Sequence, residues 1–257
     1  MNNEAFMNHL STIPSLDSIP PALVSHISQL EAIEPARAAV TGQALIGFVE
    51  GMSQQAREDV LDTVTYATLA ADKRYDVVTE NGEWYKTFRS AMTRALNWTP
   101  QDLAYVSRSS RERVLTLDQV GLQLIASSLA AAATGGTAAG ALILQIAQDA
   151  VQALRGQDEP ARLFNSRTEK PGGARFLVGG CNESAEGVIV LAVGAVEVKT
   201  SLNVTNVLFA NWNSVAVDLN QSADVLVFHQ SLYAQRRERV RQALLQSSDA
   251  ALSEFPI

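Results

Sequence analysis

The chain has 257 residues, of which 47% are apolar and 18% charged, with a net charge of −7 and a pI near 5.0. It is long enough for a sizeable core, and its acidity argues against nucleic-acid partners, which need a basic surface to replace phosphate counterions. One cysteine, Cys181, rules out an intrachain disulfide framework and a Cys-rich zinc site, and His9, His26 and His229 lie too far apart for helical ligand spacing, so no metal is expected.

The opening residues, MNNEAFMNHLSTIPSLDSIPP, lack the basic and apolar regions of a signal peptide. The expected location is cytoplasmic, or outside the cell by a route without a classical signal. Pro14, Pro20 and Pro21 make this stretch an irregular arm. Leu23, Ile27 and Leu30 then fall at i, i+4 and i+7, predicting a one-faced helix that carries His26 as a structural residue. EPARAAVTGQALIGFVEGM reads as a second helix, with Pro35 in its first turn and an end near Gly51.

Ser53 is placed to cap SQQAREDVLDTVTYATLAA, whose Val60, Val64, Ala67 and Ala71 recur every three or four residues. Asp72, Asp76, Glu80 and Glu83 follow. The first three share a helix face, but Lys73 and Arg74 sit among them and no calcium-loop pattern is present, so a solvated face is expected. Asn81-Gly82 signals a turn. In WYKTFRSAMTRALNW, Trp84, Phe88, Ala91 and Ala95 make one stripe, flanked by Tyr85, Met92 and Leu96, which reads as core before it reads as a ligand pocket. The helix ends at Asn97-Trp98-Thr99-Pro100, and SRSSRER is a polar connector.

Residues 119–148, QVGLQLIASSLAAAATGGTAAGALILQIAQ, hold no charge between Asp118 and Asp149. As one helix they would be about 45 Å long, too long for a bilayer core of about 30 Å. As two arms turning at Gly135-Gly136, each is about 22 Å and too short. Gln119, Gln123 and Ser127 share one helix face, as do Gln145, Gln148 and Gln152. This is the pattern of a buried helical hairpin in a globular domain. Ser128, Ala132, Gly136 and Gly140 recur every four residues, a small face that suits close helix packing in protein or in lipid. The candidate membrane-insertion residues are Leu122, Leu124, Ile125, Leu129, Gly136, Gly140, Leu142, Ile143 and Ile146.

From about residue 162 the period changes to two. GGARFLVGG, GVIVLAVGAVEVK, LNVTNVLFANW, SVAVDL and DVLVFH predict five strands, joined by turns too short for helical crossovers and therefore antiparallel. VIVLAV should be covered on both faces, while Glu197 and Lys199 should give the end of that strand a wet face. SLYAQRRERVRQALLQ predicts a last helix with Tyr233, Val240 and Leu244 inward. Its Arg236, Arg237, Arg239 and Arg241 fan around the circumference as solvated side chains.

The predicted fold is α+β. An N-terminal multi-helix bundle (1–157) contains the hydrophobic small-residue hairpin, and a five-stranded antiparallel sheet or small sandwich with a C-terminal helix (158–257) follows. No phosphate-binding or nucleophile-elbow motif is present. Cys181, Asp218 and His229 would form a catalytic set only if strand order brought them together. The chain is therefore expected to be neither an enzyme nor a cofactor binder. The layout resembles that of soluble proteins that turn into membrane-active toxins, an analogy of layout without a shared motif. It implies an oligomerising protein that releases the 117–154 hairpin into a bilayer, with membrane lipid, a cell-surface receptor or further copies of itself as partners. The alternative is a non-enzymatic module that binds protein or glycan and keeps the hairpin buried.

Overall fold

The computed structural model describes residues 37–75, 83–102, 105–112, 116–132, 137–156, 158–170, 172–200 and 217–253, with Glu80, Val114, Asn206, Leu208–Ala210 and Trp212 between them. The expected N-terminal arm, the helix carrying His26, the Asn81-Gly82 turn and the Gly135-Gly136 turn lie outside these residues. The strands are β1 (Arg37–Thr41), β2 (Ala44–Phe48), β3 (Trp98–Pro100), β4 (Val106–Glu112), β5 (Glu169–Lys170), β6 (Gly173–Glu183), β7 (Ile189–Lys199) and β8 (Val217–Phe228). We number the helices α1 (Gln54–Asp72), α2 (Glu83–Arg94), α3 (Leu117–Ala131), α4 (Ala138–Arg155), α5 (Asp158–Thr168), α6 (Gln230–Tyr233) and α7 (Arg237–Ser253).

The α+β class holds, but its parts are joined differently from the expectation. A long antiparallel meander, β6-β7-β8, forms the centre of one sheet, with Leu177 opposite Ala195 and Leu191 opposite Leu226. Both of its edges are completed by short strands laid end to end. β2 and β5 pair with β6, and β3 and β4 pair with β8. The β2–β6 pairing is parallel, so the sheet is mixed and has eight strands among the described residues. Four of them come from the half of the chain expected to be helical.

The stretch AAVTGQALIGF is a β-hairpin, not a helix. Gly42 turns it with φ +53, a left-handed conformation that glycine adopts without steric cost. All five residues of β2 are buried. A short, evenly apolar run of this kind fits a buried strand or a helix equally well by pattern, and pairing with β6 decides the matter. SRSSRE is the edge strand β4, not a connector. Its serines and arginines suit an edge that must not recruit further strands. VDL of SVAVDL and DVLVF of DVLVFH are the two ends of one strand, β8, whose polar middle pairs with β4, Ser109 opposite Asn220 and Arg108 opposite Gln221. ARLFNSRT, expected in the β part, is helical as α5. In LNVTNVLFANW the described residues form turns, with Asn206 at φ 59.

Local signals held where one motif controlled the geometry. Ser53 caps α1, its hydroxyl accepting from the Ala56 N–H at 3.2 Å, a contact worth about 1 kcal/mol. Thr137 caps α4 in the same way through the Gly140 N–H. The aromatic stripe of α2 is core, with Trp84, Tyr85, Phe88 and Met92 all buried.

Strand alternation sends side chains to two separate cores. Ile189, Leu191, Val193 and Ala195 of β7 meet α1, α2, α6 and α7 on one face. Ala192, Val196 and Val198 meet α3, α4 and α5 on the other. The result is a sheet between two helical layers, and VIVLAV is covered on both sides from Ile189 on, with Val190 half-buried, whereas Val188, before the strand, is 45% exposed. Glu197 is the exception to its expected wet face: it is 2% exposed, beneath α1 and α2.

Candidate functional site

The uncharged segment forms α3 and α4, which lie side by side on one face of the sheet. Leu122, Leu124, Ile125, Leu129, Gly140, Ile143 and Ile146 are buried, Leu142 is half-buried, and Gly136 lies outside the described residues. Ser128 is also fully buried. The glutamine stripes point away from the sheet, Gln123 and Gln152 exposed and Gln119, Gln145 and Gln148 half-buried. With Ala130, Ala131 and Ala138 they make an outer surface that carries no charge until Asp149. The hairpin is thus a surface layer clamped on one side, not a bundle centre sheathed by helices.

Its seating depends on bare backbone. A Cβ at Gly180 would lie 2.0 Å from the Ile143 carbonyl oxygen, and one at Gly47 would lie 2.4 Å from that of Ile146. These two glycines face each other across β2 and β6, so α4 rests directly on the sheet. α3 does the same over Gly194, where a Cβ would come 2.6 Å from the Gly121 carbonyl oxygen.

The opposite face holds three ionic clusters. In the first, Arg175 is 3% exposed. Its Nε donates to Glu197 and its Nη1 to Asp72, each at 3.2 Å, and its guanidinium lies 4.7 Å from the Trp84 ring centre. Asp72 also accepts from the Trp84 indole N–H at 2.7 Å and from Gln43 at 2.8 Å. Asp72, with its side chain 31% exposed, thus reaches the buried Arg175 from the surface, while Glu80 and Glu83 are exposed as expected. Burial pushes the guanidinium of Arg175 below its ordinary value, against the pull of Glu197 and Asp72.

In the second cluster Arg237 grips the buried Asp59 with two hydrogen bonds of 2.7 Å, and Arg241 reaches Asp62 at 3.0 Å and Glu58 at 2.8 Å. Arg236 donates to the Ala95 carbonyl. The arginine run therefore fastens α7 and its preceding turn to α1 and α2, and three of its four members are engaged, not merely solvated.

The third cluster joins α2 to β8. Arg89 pairs with the fully buried Asp224 and with the exposed Asp102, and its guanidinium lies over the Tyr105 ring. Burial pushes the Asp224 carboxyl up to about 6, with Arg89 drawing it down. The folded state then holds this proton more tightly than the unfolded chain. The stability contributed by Asp224 is complete below about pH 4 and is lost as pH rises through about 6, amounting to about 3 kcal/mol. Asp224→Asn keeps an acceptor for Arg89 and removes the charge. Urea unfolding of both proteins should show the wild type losing stability relative to the variant between those pH values; a constant difference would contradict the assignment.

Cys181, Asp218 and His229 do not converge. Cys181 is buried on the α1 side of β6, and its thiol is pushed well up by burial. Asp218 is at the start of β8, paired with Arg111. His229 lies just beyond the other end of that strand, exposed, with its Nε2 2.8 Å from the Thr99 hydroxyl. Among the described residues no group of three or more metal-ligating side chains occurs, and no helix is long and apolar enough to cross a membrane. The ionic clusters escaped notice in the sequence because their partners are far apart, Arg175 lying 103 positions from Asp72.

Together these elements define an α+β protein whose charge-free helical hairpin covers one face of a mixed sheet. No family model matches the chain, and no curated protein matches it in sequence. Among solved structures it is similar to the activated Cyt2Ba monomer from Bacillus thuringiensis subsp. israelensis, with 10% identity over 74% of this chain and 98% of that one and a TM-score of 0.44. It is also similar to a delta-endotoxin, with 11% identity over 74% and 84% of the two chains and a TM-score of 0.41. The Evf virulence factor shows 8% identity over 87% and 89%, with a TM-score of 0.31.

Proposed function

We propose that this protein is membrane-active and toxin-like, and that it delivers the α3–α4 hairpin from the sheet to a lipid bilayer. The observation that carries this reading is the absence of charge from the outward face of a surface layer, from Gln119 to Gln148. Outer helices of water-exposed domains normally carry charge there. Each charge placed at a bilayer centre costs about 2.5–3.5 kcal/mol, and the stretch from Gln119 to Gln148 has none to place, its charges Asp118, Asp149 and Arg155 lying at and toward the base of the two helices. Its inner side chains, Leu124, Ile125, Ile143 and Ile146, exchange one apolar environment for another. With 15 and 18 residues the helices reach about 22 and 27 Å, so they enter the outer part of a bilayer without crossing it. The sheet face left behind, with Phe176, Val178, Val196 and Val225, needs a new cover, which lipid or a second copy provides. The expected result is dye release from vesicles, with α3 and α4 protected from protease once bound. Intact vesicles over a wide range of pH and lipid charge, with the chain monomeric throughout, would rule the reading out.

One observation favours a second reading. The backbone seats at Gly180 and Gly194 hold the hairpin closely enough for permanent docking, as a non-enzymatic module binding protein or glycan would have it. Such a module leaves vesicles intact and loses partner capture when exposed residues of the sheet edge β4, such as Arg111, are replaced.

A further inference from the structure

The base of the hairpin, where α3 begins and α4 ends, is tied to the body by described residues of the β7–β8 connection. The Leu208 carbonyl accepts the Asp118 N–H at 3.1 Å. Arg155, the last residue of α4, donates from Nη2 to Asp118 Oδ2 at 2.9 Å, and its guanidinium lies 4.7 Å from the centre of the Phe209 ring. Leu208 and Trp212 are buried in the same core as Ile125 and Ile143. The turn is anchored a third time at α5, where Asn165 donates to the Asn206 side chain. Leu208 and Phe209 therefore touch the start of one arm and the end of the other, and hold both against the sheet.

The same place is the least satisfied polar point of the hairpin layer. The two buried side-chain oxygens of that layer without a hydrogen-bond partner among the described residues are Thr116 Oγ1 and Asp118 Oδ1. Both sit at the first turn of α3. A buried carboxylate with one oxygen paired and the other unpaired is weakly held, because the unpaired oxygen has given up water for nothing. Arg155 is half exposed, so water competes for the ion pair from outside.

We propose that Asn206, Leu208, Phe209 and Trp212 act as a strap that keeps α3–α4 on the sheet, and that the Arg155–Asp118 pair over Phe209 is the point where it releases. Because Asp118 and Arg155 belong to the two arms, opening the strap frees the hairpin as one unit and not one helix at a time. The strap's role in lipid delivery rests on the membrane-active reading; its hold on the hairpin does not, and is measured in water.

Amide hydrogen exchange of the full chain, as wild type, Arg155→Gln and Phe209→Ala, tests the strap. Both variants should speed exchange in α3 and α4 about tenfold while β6, β7 and β8 stay as in the wild type, the signature of a local opening. Leu226→Ala, in the opposite core, shows the contrasting pattern of general destabilisation, with sheet and hairpin accelerating together. If the strap variants show that parallel pattern, or leave the hairpin unchanged, the strap is refuted. Vesicles of phosphatidylcholine and phosphatidylglycerol separate the two proposals. A hairpin that loosens while the variants leave those vesicles intact upholds the strap and refutes delivery to lipid. Faster dye release from the variants, together with selective exchange, supports both.

Discussion

Replacing Gly180 with valine will lift α4 from the sheet. The first added carbon would fall 2.0 Å from the Ile143 carbonyl oxygen and 2.9 Å from Cγ2 of Ile146. The isoleucine side chain can turn aside, but the carbonyl cannot, since it belongs to a helix whose hydrogen bonds fix it. The helix must therefore translate as a body. It then gives up contact between Gly47 and the Ile146 backbone, and part of the burial of Ile143 and Leu144. Overpacking alone costs about 1–3 kcal/mol, and the lost contacts raise the expected loss to about 3–5 kcal/mol. Urea unfolding measures this, and limited proteolysis should find new cleavage in α4. The variant also separates the two functional readings. A membrane-active protein with an unseated hairpin should bind vesicles more readily than the wild type, whereas a binding module should aggregate without touching them. Wild-type stability and protease resistance in the valine variant would show that α4 does not rest on bare backbone.

Arg175→Met carries the second large effect. Arg175 is 3% and Glu197 2% exposed, so the substitution leaves a carboxylate in the core without its cation. Asp72 keeps its bonds from Trp84 and Gln43, but Glu197 loses the guanidinium that offsets its burial. Breaking such a pair from one side costs about 3–5 kcal/mol, whereas replacing both partners with apolar residues of similar volume is often neutral. The double variant Arg175→Met with Glu197→Leu should therefore recover most of the stability lost by the single change. Thermal or urea unfolding of the three proteins decides the matter. A loss under about 1 kcal/mol in the single variant would place the pair with exposed ion pairs, contrary to its burial.

Much of the candidate site was legible in the sequence. The absence of charge between Asp118 and Asp149, the glutamine stripes and the small residues at four-residue spacing state a two-helix hairpin with one polar face, and that is the form of α3 and α4. Helical periodicity is a local property, so it survives any tertiary arrangement. The hairpin's partner was not legible. Its arms were expected to bury themselves among helices, and they lie instead on strands recruited from both halves of the chain. Gly47 and Gly180 show why. They are 133 positions apart, and neither carries a sign of the other until β2 and β6 pair in parallel. Gly180 reads alone as a turn residue beside a strand, and only the approach of Ile143 gives it a packing role.

The strands divide in the same way. β6 and β7 carry the apolar runs FLV and IVLAV between glycines, and pattern alone places them as strands. β1 and β2 read as helix because alanine, valine and leucine serve either structure in a short run. β4 reads as a connector because an edge strand needs few apolar residues. The ends of β8 read as two strands because Asn220, Gln221 and Ser222 look like a turn, although each pairs with a residue of β4. Glu197 reads as solvated because alternation assigns a face without saying what covers it. By itself the sequence determined the α+β class, the Ser53 cap, the hairpin and its charge-free surface, since each follows from the spacing of neighbouring residues. The tertiary structure decided the mixed sheet, the glycine seats, the buried ion pairs and the contacts of Leu208 and Phe209 at the hairpin's base, since each requires residues far apart in the chain to meet. The energy of those meetings comes from burial and pairing that no local window of sequence contains.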